Sequence, residues 1–140
     1  MAVIPSDGFQ TESSAAPSPI TVVGPRPTIV QTLAGATLVV KNAPGNLSGF
    51  VVTSRESVGA WVSIFRKASA PVNGDTPFLS FQLPGNGTAT SPSILGLDES
   101  FFGEAGMVMT TGIAIAIATA NGNLTIVTNT ANYDIAGGWV

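Results

Sequence analysis

The sequence predicts an all-β protein, an antiparallel β-sandwich of the jelly-roll or immunoglobulin-like kind with an extended N-terminal arm. Short runs of β-branched and other apolar residues alternate with period two, and no stretch shows the 3.6-residue period of a helix. Turn residues separate these runs. Glycine and proline, which favour turns, are frequent: the chain contains 16 glycines and 10 prolines. A chain of 140 residues has room for one domain with an appended arm.

Residues 1–27 are the predicted arm, and residues 28–140 the predicted β-sandwich domain. The arm is rich in Ser, Thr, Ala and Pro, a composition that is typical of an extended arm or of a disordered tail. Residues 20–23 could add a short edge strand. Val3, Ile4 and Phe9 are large apolar side chains that a solvated tail would not use, so we expect them to contact a neighbouring subunit. The first residues lack the features of a secretory signal, which predicts synthesis in the cytoplasm.

The strands of the domain are predicted from β-branched runs bounded by turn residues. In chain order they are residues 28–33, 36–41, 49–54, 60–67, 78–83, 108–110, 113–118, 124–128 and 133–140. The run 60–67 is partly apolar on both faces, which predicts a central strand. Residues 43–46 form a turn, and residues 98–104 form either one helical turn or a wide loop. Asn121-Gly122 predicts a hairpin between 113–118 and 124–128, and Gly137-Gly138 predicts a bulge or bend in the closing strand.

Two features of the C-terminal third are candidate interfaces. In the run 113–118 the isoleucines face one way, and Ala114, Ala116 and Ala118 form a flat, uncharged face on the other side that something should cover. Trp139 follows two glycines near the C-terminus and could insert into a neighbouring subunit. Because only 9% of the residues are charged, we expect partners to cover much of the protein surface.

The residue inventory excludes most catalytic chemistry. The chain has no cysteine and no histidine, which excludes the usual zinc sites, thiol chemistry and imidazole catalysis. Asp98, Glu99 and Glu104 are the densest acidic group, but their spacing matches no calcium loop, so we interpret them as a solvated loop. We therefore expect no catalytic residue, no metal and no cofactor. Five basic residues and a net charge of -3 argue against nucleic acid as a partner. The longest apolar stretch, 112–120, is too short for a membrane-spanning helix.

Two segments resemble small structural proteins of tailed bacteriophages. Residues 40–53 read VKNAPGNLSGFVVT, and residues 60–77 contain AWVSIFRKASAP followed by GDTP. The resemblance continues at strand 78–83, which ends in Pro84-Gly85, and at residues 111–116, so that it spans about residues 36–120. The short Asn121-Gly122-Asn123 departs from that pattern, in which we expect a longer acidic loop, and so does the proline-rich arm.

The resemblance implies a virion β-sandwich protein, a group that includes capsid decoration (cement), head-fibre and tail components. We expect a non-enzymatic decoration protein that stabilises the phage head shell by bridging capsid subunits. Its implied partners are the major capsid protein and copies of itself, as a homo-oligomer on the capsid surface, assembled in the host bacterial cytoplasm. The alternative is a tail or head-fibre component that acts as a receptor- or carbohydrate-binding module. Trp61, Tyr133 and Trp139 could supply an aromatic sugar platform for such a module.

Overall fold

Two antiparallel β-sheets pack face to face in the computed structural model, which describes residues 26–140. The predictions for Val3, Ile4, Phe9 and residues 20–23 lie outside the described residues. The elements are β1 (Thr28–Thr32), β2 (Thr37–Lys41), β3 (Gly45–Ser54), β4 (Ala60–Phe65), β5 (Leu79–Leu83), β6 (Ser93–Leu97), α1 (Glu99–Phe102), β7 (Met107–Met109), β8 (Ile113–Ala118), a 3₁₀ turn (Thr130–Asn132) and β9 (Tyr133–Trp139). The predicted all-β sandwich is confirmed.

The strand order identifies the kind of sandwich. The first sheet has the order β1-β9-β3-β6, with the short β7 also paired to β3, and the second has the order β2-β8-β4-β5. Eight main strands therefore divide into two four-stranded sheets, and the chain passes from one sheet to the other at most of its connections. This is the double-sheet arrangement of a jelly roll, the first of the two predicted alternatives. Strand β4 lies between β8 and β5, as its two apolar faces predicted.

The core lies between the two sheets and is almost entirely aliphatic. Ile113, Ile115 and Ile117 of β8 point inward and are fully buried. Opposite them, a Cβ atom on Gly137 would lie 2.5 Å from Cγ2 of Val40, so only glycine lets the sheets approach this closely here. The packing of β2 against β9 thus depends on a residue without a side chain.

The bulge or bend predicted at Gly137-Gly138 has a counterpart at this place, but the extra residue is in the facing strand. Strand β9 pairs without interruption, and the register shift lies in the facing strand β3, between Leu47 and Gly49. Strand β3 also begins at Gly45, so the predicted turn over residues 43–46 overlaps the strand. The two glycines serve the close approach of other groups to β9, and the extra residue that relieves the pairing is in β3.

The region around the predicted C-terminal hairpin also differs from the prediction. Residues 124–128 do not form a strand; Ile126 makes a single bridge to Ala118. The chain does return antiparallel after Asn121-Gly122, because the N–H of Thr119 donates to the carbonyl of Thr125 and the N–H of Val127 donates to the carbonyl of Ile117. The main chain of Leu124, however, bonds to Gly74 and Asp75. Strand β6 was not predicted, whereas the helical turn predicted as one alternative within residues 98–104 is present as α1.

Candidate functional site

The outer face of the second sheet is covered by the protein's own chain. Ala114, Ala116 and Ala118 point away from the core, and they are fully buried together with Phe65 and Leu124. Trp61 and Ile126 are half-buried and pack against the same cluster. The alanine face predicted as a docking surface is therefore not available to a partner. The sequence predicted that something should cover this face, and the cover is a segment of the same chain that contains Leu124 and Ile126.

The cover is held in place by the loop between β4 and β5. The N–H of Gly74 donates to the carbonyl of Leu124 at 2.8 Å, and the N–H of Leu124 donates to the carbonyl of Asp75 at 2.8 Å. The N–H of Ile126 donates to Oδ1 of Asn73 at 2.8 Å. These bonds satisfy the backbone groups of a segment that is neither strand nor helix, so residues 119–128 form a defined lid on the alanines.

An ion pair organises the loop beneath that segment. The Asp75 carboxylate accepts from Nζ of Lys67 at 2.6 Å and from the N–H of Val72 at 2.9 Å. The hydrogen bond from Lys67, followed by the one from Val72, lowers the pKa of Asp75 below its usual value. At neutral pH the carboxylate is therefore charged and holds both ends of the turn.

The outer face of the first sheet, in contrast, has no cover among residues 26–140. We define the open face as five of its outward-pointing residues: Ile29 of β1, Ala136 and Gly138 of β9, Val51 of β3, and Ile94 of β6. Gln31, Thr53 and Asp134 point to the same side of the sheet. Ile29 is 62% exposed, Val51 47% and Ile94 63%. The register places Ile29 opposite Gly138 and Val51 opposite Ala136, so large apolar side chains stand beside small ones. Exposed apolar side chains on three strands of one sheet face mark a candidate interaction surface.

A groove of about 390 Å³ crosses the end of the open face near the start of β1. Its floor is low because of Gly138, where a Cβ atom would lie 2.8 Å from Oγ of Ser48 and 3.0 Å from Cδ1 of Ile29. The groove is lined mostly by apolar residues and backbone. Its lining comprises Pro27, Ile29, Ser48, Gly49, Phe50, Val51, Leu97, Asp98, Glu99, Glu104, Ala136, Gly137, Gly138 and Val140.

The acidic residues predicted as a solvated loop lie at one end of this groove. Asp98 is the N-cap of α1 and accepts from the N–H of Ser100 at 2.9 Å and from its hydroxyl at 2.6 Å. Those bonds, first the one from the hydroxyl, lower the pKa of Asp98. Glu99 and Glu104 are exposed. The arrangement caps a helix turn and makes the end of the groove negative.

The opposite end of the open face carries an ion pair. Nη1 of Arg55 donates to Oδ2 of Asp134 at 2.8 Å, and the N–H of Ala34 donates to Oδ1 of the same carboxylate at 2.8 Å. Ala34 has a positive φ of 54°, a conformation that this hydrogen bond helps to hold. The bond from Arg55, followed by that from Ala34, lowers the pKa of Asp134.

The three aromatic residues considered for a sugar platform are not together. Tyr133 is buried in the core, and Trp61 lies on the second sheet beside the lid. Trp139 packs partly against the core, and Nζ of Lys41 lies 3.5 Å from the centroid of its ring. The ring of Trp139 thus already contacts Lys41 of the same chain. Its insertion into a neighbouring subunit stays a prediction.

Ile29, Val51 and Ile94 were missed as site residues. The signal that could have found them is the presence of apolar residues at both alternating positions of β3, together with glycine or alanine at the facing positions of β6 and β9. The chain gave no match to protein-family models, to curated proteins or to solved structures. Within residues 26–140 no helix has the length and apolar character needed to cross a membrane.

Proposed function

We propose that this protein is a capsid decoration protein of a tailed bacteriophage, which stabilises the head shell by bridging capsid subunits. The open face is the observation that carries the proposal. It displays Ile29, Val51 and Ile94 on a rigid sheet, whereas the other outer face is covered by residues of the same chain. The protein would thus meet the shell through the first sheet.

The physical argument concerns many weak contacts of one kind. Burying apolar surface stabilises an interface by about 25 cal/mol per Å². A small patch therefore contributes little free energy per copy, but the total stabilisation of the shell increases with the number of copies. The low charge of the chain suits a surface of this kind, because interface centres are depleted in charged residues. Jelly rolls occur in viral capsid domains, which is support by analogy of fold alone. The resemblance of segments 40–53 and 60–77 to small structural proteins of tailed bacteriophages is the reason for proposing a virion protein.

A non-enzymatic role is part of the proposal. Ionisable groups of the described residues serve structure: Arg55 pairs with Asp134, and Lys67 pairs with Asp75. Asp98 caps a helix turn. The receptor- or carbohydrate-binding alternative has less support, because its candidate aromatic residues lie on different parts of the sandwich.

The partners in this proposal are the major capsid protein and further copies of the same chain, on the capsid surface of a virion assembled in the bacterial cytoplasm. The test uses particles of the encoding phage that lack the protein. The full chain and the I94D variant are added back, and the retained protein is measured after sedimentation. V58D is the matched control, because Val58 is 70% exposed in the β3–β4 loop, outside the open face.

The expected result is that I94D reduces retention by about tenfold or more, because a charge would be buried at the contact, while V58D binds like the unchanged protein. Equal retention of I94D and the unchanged protein would exclude the open face as the shell contact. A copy number of only a few per particle would contradict a shell protein and favour a tail component.

A further inference from the structure

The groove on the open face lies where the described chain begins. Pro27 lines the groove, and β1 starts at the next residue. The described part of the chain therefore begins directly beside an apolar depression.

The chemistry of the groove accepts a short extended apolar segment. Gly138 and Gly49 leave the backbone of β9 and β3 without side chains at its floor. Glycine within strands marks places where another backbone approaches closely. The negative charge of Glu99 and Glu104 at one end disfavours an acidic occupant.

Residues 20–25 have the matching chemistry and length. Their sequence, ITVVGP, is uncharged and begins with four residues of high β-propensity, followed by a glycine and a proline that favour a turn. Crossing from β1 to β6 covers three strand spacings, about 14 Å. Four extended residues span about 13 Å, so residues 20–23 would cross the sheet once.

We propose that residues 20–23 bind in this groove of the same chain. The tether consists of residues 24–26 alone, which gives the segment a high effective concentration at its own groove and an advantage over the same segment of a second copy. The segment would then cover Val51, and a capsid partner would contact Ile94 and the bound segment instead of Val51 itself. This inference does not depend on binding to a phage shell.

The test measures the accessibility of Val51 in the full chain. Because the protein has no cysteine, V51C introduces a single thiol whose labelling by a maleimide reports the cover. The rate is compared with that of V51C combined with V22D and V23D, which would expel the segment from an apolar, negatively edged groove. The matched control combines V51C with A15D and A16D, which add the same charge outside residues 20–23. V58C serves as a thiol away from the groove.

The expected result is that V51C reacts about tenfold more slowly than V51C with V22D and V23D, the protection expected when the effective concentration is about ten times the intrinsic dissociation constant. The A15D and A16D variant keeps the slow rate, and V58C reacts at the same rate with and without V22D and V23D. Equal rates for V51C in all backgrounds would overturn the proposal. Protection that increases with protein concentration would also overturn it, in favour of a segment from a second copy.

Discussion

Leu124 is the side chain on which the lid over the alanine face depends. It is buried, and its main chain is held on both sides by hydrogen bonds to Gly74 and Asp75. Replacing a buried leucine by alanine costs about 2–5 kcal/mol, with the larger values where the site cannot collapse. The floor beneath Leu124 consists of alanine methyl groups on a paired strand, and the lid is fixed by its backbone bonds. Neither side can move to fill the space.

We therefore expect L124A to lower the free energy of unfolding by about 3 kcal/mol, which corresponds to a fall of roughly 10 °C in Tm for a domain of this size. Urea unfolding followed by tryptophan fluorescence is a suitable assay, because Trp61 packs against the same cluster. V72A is the matched control, since Val72 lies in the neighbouring loop and is exposed. It should change stability by less than about 0.5 kcal/mol. A loss below about 1 kcal/mol in L124A would refute the reasoning, because it would show that the lid contributes little to the stability of the fold.

Two further predictions concern the first sheet. G137A should destabilise the protein by about 1–3 kcal/mol, because its Cβ would collide with Val40 in the core, whereas G96A on the outer side should change Tm much less; thermal unfolding of both variants measures the difference. Asp134 has a pKa lowered from 3.8 by Arg55, so its contribution to stability is complete above that unfolded value and is lost as the pH falls through the lower folded value. D134N should therefore be less stable than the unchanged protein at pH 7, and the two urea midpoints should approach each other as the pH falls below 3.8; a constant difference at all pH values would contradict this assignment.

The sequence pattern predicted the strands best where the two faces differ in residue size or polarity. Strand β8 has the predicted bounds, 113–118, because isoleucine and alanine alternate without exception. Strand β6 was missed because Ile94 and Gly96 point outward, so that polar residues do not mark its outer face. The segment 124–128 has strand composition, but it pairs with β8 only around Ala118, and the main chain of Leu124 bonds to the loop between β4 and β5. Such tertiary partners leave no local signal.

The sequence predicted that the candidate site is an apolar surface, but it did not predict which residues form that surface. Low charge predicted that partners cover much of the surface, which stays a prediction, and the sequence pattern favoured the alanine face, which the chain covers itself. Val51 and Val52 are adjacent valines, and a period-two analysis cannot tell whether the outer one is buried under another layer. On the second sheet the lid provides that other layer, and its position depends on hydrogen bonds to residues 73–75, which are distant in the sequence. Only the three-dimensional structure shows that the outer face of the second sheet is covered by the chain and that the open face of the first sheet is exposed.

The two outer faces share one design, which connects the lid to the open face. Each has a floor of small residues: Ala114, Ala116 and Ala118 on β8, and Ala136 and Gly138 on β9. On the second sheet an irregular segment with one large anchor, Leu124, lies on that floor and buries it. A floor of small residues lets a covering backbone approach the sheet, and the covering segment then supplies the bulk that the floor lacks. The same physical logic on the first sheet supports the proposal that residues 20–23 bind in the groove, because the groove beside Pro27 is open among residues 26–140.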